Sequence, residues 1–224
     1  MSVKNLISAA IISLFMAPVL SFAQNTTDYV APTYPYWKDK ATQFSILPNA
    51  KNEIVFLGDS ITDGGEWHEL TGLPNAVNRG IGGDTAAGVL GRITEVTDGK
   101  PIKVFLMIGT NDLAQDRTPE QVCAKIGEVL DAIKLNSPKT VIYLQSTFPV
   151  IDGKNEKYKN ENVNKLNPLI QKLAADKKVT WIDVASSLKD DKGQLKDNLT
   201  FDGLHLNGAG YLVWISVIKK YLKS

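Results

Sequence analysis

The sequence predicts one three-layer α/β/α domain built on a central parallel sheet of about five strands. From residue 52 onward, apolar segments of strand length alternate with segments of helical periodicity. The central strand candidates are nearly continuous in branched and aromatic residues, as strands covered on both faces are. Three glycine-containing turns follow strand candidates directly, at the sheet edge where loops of α/β folds converge. A chain of 224 residues is long enough for one such domain with a substantial core and short for two.

The segments divide as 1–23, 24–51 and 52–224. Lys4 precedes the nearly unbroken apolar run Leu6–Leu20, and Ser21-Phe22-Ala23 places small residues where a signal peptidase reads. This is the pattern of a secretory signal peptide cut after Ala23, so the protein is expected to be periplasmic or secreted. The apolar run is short for a bilayer, and stable membrane insertion is not expected. Asn25–Pro35 is polar and proline-containing, a linker or an extended arm. Tyr34, Tyr36 and Trp37 then open a short helix to Phe44, with their rings expected against the sheet or, alternatively, walling a pocket.

Strands are expected at Glu53–Leu57, Ala76–Asn78, Lys103–Ile108, Thr140–Gln145 and Val179–Ile182. Helices are expected at Thr85–Val96, Pro119–Leu135, Lys159–Ala175 and Ala209–Leu222. Pro119 suits a first helical position, and Ser137-Pro138 stops the same helix.

Charge and cysteine content narrow the function classes. Removing residues 1–23 takes Lys4 and no acidic group, so 25 basic residues become 24 and balance the 24 acidic ones. Such a protein has no bulk electrostatic attraction to nucleic acid or an anionic membrane. Cys123 is the single cysteine, so no internal disulfide forms; its helical pattern predicts a small buried side chain.

The chemistry gathers in four stretches. Gly58-Asp59-Ser60 ends the first strand, which places Ser60 like a nucleophile, although the same residues also make an ordinary helix cap. Gly80-Ile81-Gly82-Gly83-Asp84-Thr85 follows the second strand. It can present backbone N–H groups, and it has neither the lysine of a phosphate loop nor a dinucleotide spacing. Gly109-Thr110-Asn111-Asp112 follows the third strand and offers a side-chain amide, or a turn residue. Asp202-Gly203-Leu204-His205 puts a carboxylate three residues before one of only two histidines, in a position to orient a base facing Ser60. The alternatives for that pair are a surface turn or two metal ligands, but no cluster of histidine or cysteine supplies further ligands.

Together the four stretches resemble the SGNH hydrolases, the GDSL-type esterases, over about residues 52–222 and in the family's order. Ile61 stands where the family motif has leucine. Asn78–Thr85 and Gly109–Asp112 are most similar to the platelet-activating-factor acetylhydrolase-like branch. The resemblance implies a flavodoxin-like fold, catalytic Ser60, Asp202 and His205, and an oxyanion hole of Ser60, Gly83 and Asn111. It implies no metal or organic cofactor.

The function expected is hydrolysis of a short acyl group, acetyl first, from an oxygen ester of a small molecule or carbohydrate. A lysophospholipase or thioesterase would use the same machinery, and a non-catalytic carbohydrate-binding module is the competitor from another class. His68, Trp67 and Arg79 are candidates for the substrate pocket, with a solvated helix position and a salt bridge as the rival readings for His68 and Arg79. Asp59 and Asp84 read as turn and cap residues, Arg92 as an ion-pair partner, and Asp190–Gly193 as a solvated turn.

Overall fold

The structure is a computed structural model that describes residues 29–223. Residues 1–23, expected to be a signal peptide, lie outside the described residues. The elements run α1 (Pro35–Ile46), β1 (Ile54–Gly58), α2 (Ser60–Asp63), α3 (Trp67–Thr71), β2 (Ala76–Gly80), α4 (Ala86–Gly91), α5 (Thr94–Thr97) and β3 (Lys103–Met107). They continue with α6 (Thr110–Ala114), α7 (Pro119–Asn136), β4 (Val141–Gln145), α8 (Asn160–Asp176), β5 (Thr180–Ile182), α9 (Ala185–Leu188) and α10 (Gly208–Leu222).

The five strands form one parallel sheet in the order β2-β1-β3-β4-β5. Side chains alternate across a strand, so each strand feeds two cores. Val55 and Leu57 of β1 join Val104 and Leu106 of β3 in a cluster with α4, α7 and α8. Ile54, Phe56, Phe105 and Met107 face the other way, toward α3, α9 and α10. Both faces are covered, which is why these strands read as unbroken apolar runs.

Local signals set the long helices. Thr118 and Gln121 form a reciprocal capping box at the start of α7, with Pro119 in its first turn. Asn207 caps α10 by accepting from Gly210 N–H at 3.1 Å. Cys123 is half-buried rather than fully buried, packed against the α7 side of the core.

Three expectations need correction. The helix expected over Thr85–Val96 is broken into α4 and α5 at Arg92, which has a non-helical φ of −121°. The Arg92 guanidinium turns inward to Asp84, to the Arg79 carbonyl at 2.8 Å and to the Gly58 carbonyl at 3.3 Å. Trp67 is no pocket residue: it is 2% exposed, stacked on Phe56 with ring centroids 3.8 Å apart, and edge-on to Trp214. Its indole N–H is satisfied by the Thr62 carbonyl at 2.9 Å. Arg79 is also buried, its guanidinium 5.0 Å from the centre of the Phe44 ring and its Nη1 donating to the Asn78 carbonyl. His68 stays on the exposed side of α3.

Candidate active site

Adjacent parallel strands deliver the first three motifs to one edge of the sheet. β1 pairs with β2 and β3 on either side, with Gly58 opposite both Gly80 and Met107. Ser60 is therefore flanked by the segments after β2 and β3 that carry Gly83 and Asn111.

Ser60 is the first residue of α2. Asp59 caps that helix, its Oδ1 accepting from Ile61 N–H at 3.0 Å. The Asp59 carboxyl is fully buried and Oδ2 has no partner among the described residues. Burial pushes its pKa up to about 8, against the pull of the Ile61 N–H, with the nearby Asp112 and Asp84 adding to the rise.

The fourth motif arrives from the other side. A bridge between Thr200 and Leu206 closes its loop, and Ile151 N–H donates to the Gly203 carbonyl at 2.8 Å. Tyr211 of α10 donates to the Ile61 carbonyl at 2.7 Å, tying this helix to the segment that bears Ser60. His205 Nε2 lies 2.9 Å from Ser60 Oγ, and His205 Nδ1 lies 2.6 Å from Asp202 Oδ2. Asp202 Oδ1 accepts from the Leu204 and His205 backbone N–H groups at 2.9 and 2.8 Å. Partial burial raises the Asp202 carboxyl, but the His205 ring and these two amides outweigh it and hold it well below the carboxylate range. Hydroxyl, imidazole and ionised carboxylate are thus linked in series, the arrangement that lets a ring nitrogen remove a serine proton while its charge is stabilised.

The Gly82-Gly83 turn needs glycine at its second position. Gly83 has φ +73° and a Cβ there would collide with the Tyr34 hydroxyl. Gly82 N–H donates to Asp63 Oδ2 at 3.1 Å, and the Gly82 carbonyl accepts from Tyr34 Oη. Asn111 is buried, its Nδ2 donating to the Asp84 carbonyl at 2.9 Å and its Oδ1 accepting from Tyr158 Oη at 3.2 Å. An amide nitrogen has two hydrogens, so one N–H of Asn111 remains beyond the bond to Asp84.

Sequence reasoning missed how far the N-terminal arm enters this site. Its tyrosines and Trp37 bond to the second motif, to α2 and to α6, and not to the sheet. Tyr29 donates to Asp112, Tyr36 to Asp63 at 2.6 Å, and Trp37 to Asp84 at 2.8 Å. Pro32 and Ala31 pack where side chains on Gly88 and Gly91 of α4 would stand. Burial and the nearby Asp84 and Asp63 carboxylates push the Tyr34 pKa up to about 12, so its hydroxyl remains a donor. The aromatic cluster at 34–37 was the only sequence signal for this contact, and nothing marked Tyr158.

Arg92 has the ion-pair partner its sequence reading anticipated, and that partner is Asp84, read from sequence as a turn and cap residue, at 2.8 Å in the interior. Asp190 accepts from the Lys192 and Gln194 N–H groups, which makes Asp190–Gly193 a turn. Among the described residues, no group of three or more His, Cys, Asp or Glu side chains is arranged to hold a metal ion. No helix among them is long and apolar enough to cross a membrane. A cavity of about 470 Å³ opens beside Tyr158, lined by Asp152, Asn155, Glu156, Lys159 and Glu161 among others.

Known proteins share this architecture. Platelet-activating factor acetylhydrolase IB subunit alpha2 of Rattus norvegicus is 29% identical over 184 residues, 78% of each chain. A solved structure from Streptococcus pneumonia is 30% identical, with TM-score 0.76 over 84% of this chain and 93% of that one. A GDSL-like lipase from Bacteroides thetaiotaomicron VPI-5482 is 25% identical, with TM-score 0.72 over 83% and 96% of the two chains. The family model of GDSL-like lipases and acylhydrolases matches residues 56–213, a span that contains all four motifs. The chain belongs to the GDSL-like lipase/acylhydrolase family, the SGNH hydrolases, and is a hydrolase of that family.

Proposed function

We propose that the protein is an exported serine esterase that removes a short acyl group, acetyl first, from oxygen esters. Ser60 Oγ forms a bond to the ester carbonyl carbon as His205 Nε2 takes its proton. Asp202 holds the ring and stabilises the imidazolium. The carbonyl oxygen gains the negative charge and is met by the N–H groups of Ser60 and Gly83 and by Asn111 Nδ2. Collapse of this intermediate breaks the carbon–oxygen bond to the alcohol, which leaves with the proton from His205. Water, deprotonated by the same histidine, then releases the acid and restores Ser60. No metal or organic cofactor enters these steps.

The observation that carries the reading is the Ser60–His205–Asp202 series, with spacings of 2.9 and 2.6 Å. The name of the rat relative, an acetylhydrolase, favours acetyl. The leader 1–23 favours export.

The test is pre-steady-state hydrolysis of p-nitrophenyl acetate, followed by esters of increasing acyl length and then acetylated sugars. A burst of nitrophenol, lost in Ser60→Ala, and rates that fall with acyl length are expected. Turnover in purified Ser60→Ala near that of the native protein would overturn the mechanism. Rates that rise with acyl length would overturn the short-acyl assignment.

A further inference from the structure

Two of the three proposed oxyanion donors, Gly83 N–H and Asn111 Nδ2, are each one end of an amide whose carbonyl oxygen accepts from a tyrosine hydroxyl. Tyr34 Oη donates to the Gly82 carbonyl oxygen. That oxygen and the Gly83 N–H belong to one peptide unit, and in a trans peptide they point in opposite directions. Fixing the carbonyl therefore fixes the direction of the N–H. Tyr158 Oη donates to Asn111 Oδ1 at 3.2 Å, the oxygen of the amide whose nitrogen is the proposed donor. The Asp84 carbonyl takes one hydrogen of Asn111 Nδ2 at 2.9 Å, which prevents the amide from turning over.

We propose that Tyr34 and Tyr158 are positioning residues that aim and polarise the Gly83 and Asn111 amides of the oxyanion hole. The inference rests on the assignment of Gly83 and Asn111 as oxyanion donors.

Two physical effects act together. A hydrogen bond at a carbonyl oxygen draws electron density from the amide and makes its N–H a stronger donor. It also removes the freedom to swing, so the donor is already in place when charge develops on the substrate. The need is greatest at Gly82-Gly83, where neither residue has a side chain to restrain it and φ at Gly83 is +73°. The turn is gripped at both polar ends of Gly82: Tyr34 holds its carbonyl and Asp63 accepts its N–H at 3.1 Å. Asp63 is itself held by Tyr36 Oη at 2.6 Å and by Lys40 Nζ at 3.3 Å, both from α1. The arm that supplies Tyr34 precedes the segment matched by the family model, and Tyr158 belongs to none of the four motifs. Each tyrosine thus brings a second segment of chain to bear on one donor.

Removing only the hydroxyls tests this. Tyr34→Phe, Tyr158→Phe, the double variant and Asn111→Ala are prepared in the full chain, keeping each ring's packing in the tyrosine variants. Turnover and KM are measured with p-nitrophenyl acetate, Ki with phenylboronic acid, whose tetrahedral serine adduct places an oxygen in the hole, and Tm by calorimetry. Each tyrosine variant should lose about 3- to 10-fold in kcat, a fraction of the 10²–10³ that deletion of a whole donor costs. KM should stay within about twofold and Ki should rise in step with the fall in kcat, as for groups that act on the transition state. Native kcat and Ki in both tyrosine variants, with Asn111→Ala inactive, would overturn this inference and leave the oxyanion assignment standing. Native kcat in Asn111→Ala would overturn the assignment and the inference with it. A lower Tm with unchanged kcat in the folded tyrosine variants would show bracing alone and also overturn the inference.

Discussion

Trp37 Nε1 donates to Asp84 Oδ1 at 2.8 Å, joining the N-terminal helix to a buried carboxylate in the second motif. Arg92 approaches the other oxygen of the same carboxylate at 2.8 Å. Asp84 in turn offers its backbone carbonyl to Asn111. One aromatic residue outside the family segment therefore bears on the frame beneath the site.

Trp37→Phe deletes this donor and keeps an aromatic, though smaller, ring. The protein should lose about 1.5 kcal/mol, the low end for a hydrogen bond to a charged group because Trp37 is only half-buried. Urea denaturation measures it. Unchanged stability would mean that Arg92 and the Thr85 N–H satisfy Asp84 without the arm.

The two histidines should separate cleanly. His205→Ala should reduce kcat by orders of magnitude, leaving only oxyanion and binding effects. His68→Ala, at an exposed position of α3, should leave kcat near the native value. Steady-state kinetics on both variants checks this, and the opposite pattern would move the base to His68.

Asn111→Ala should lower turnover by about 10²–10³-fold, the usual cost of one oxyanion donor. Because Asn111 Nδ2 also ties to the Asp84 carbonyl, stability should fall too, by about 1 kcal/mol. Kinetics normalised to folded protein distinguishes the two effects. Normal turnover with reduced stability would leave Asn111 as a brace only.

Asp59 should make the fold sensitive to pH. Its folded-state pKa of about 8 lies above the unfolded value, so the folded state holds the extra proton in between. Stability from this group is present below the unfolded pKa near 4 and is lost as pH rises toward about 8. Asp59→Asn keeps Oδ1 as the cap acceptor for Ile61 and cannot ionise. The fall in Tm between pH 5 and pH 8 should therefore be smaller in Asp59→Asn than in the native protein, and an unchanged fall would assign it to other groups. Asp112, raised to about 6, and Asp84 face the same interior and titrate in both proteins.

The sequence alone determined the parallel sheet, the long helices and the four motifs, because each is written in consecutive residues. A short apolar run such as Ile54–Leu57, ended by Gly58, suits a strand covered on both sides, and Asp202 and His205 meet within one turn of chain. Tertiary structure decided where amphipathic side chains went. Trp67 sits among Glu66, His68 and Glu69 on a helix of five residues, too short for periodicity to reveal that its ring faces the core. The contacts of Tyr34 with Gly82 and of Tyr158 with Asn111 span 48 and 47 residues, so no local pattern records them. A tyrosine can bury its ring and direct its hydroxyl to any acceptor within reach, and only the folded chain determines which acceptor that is.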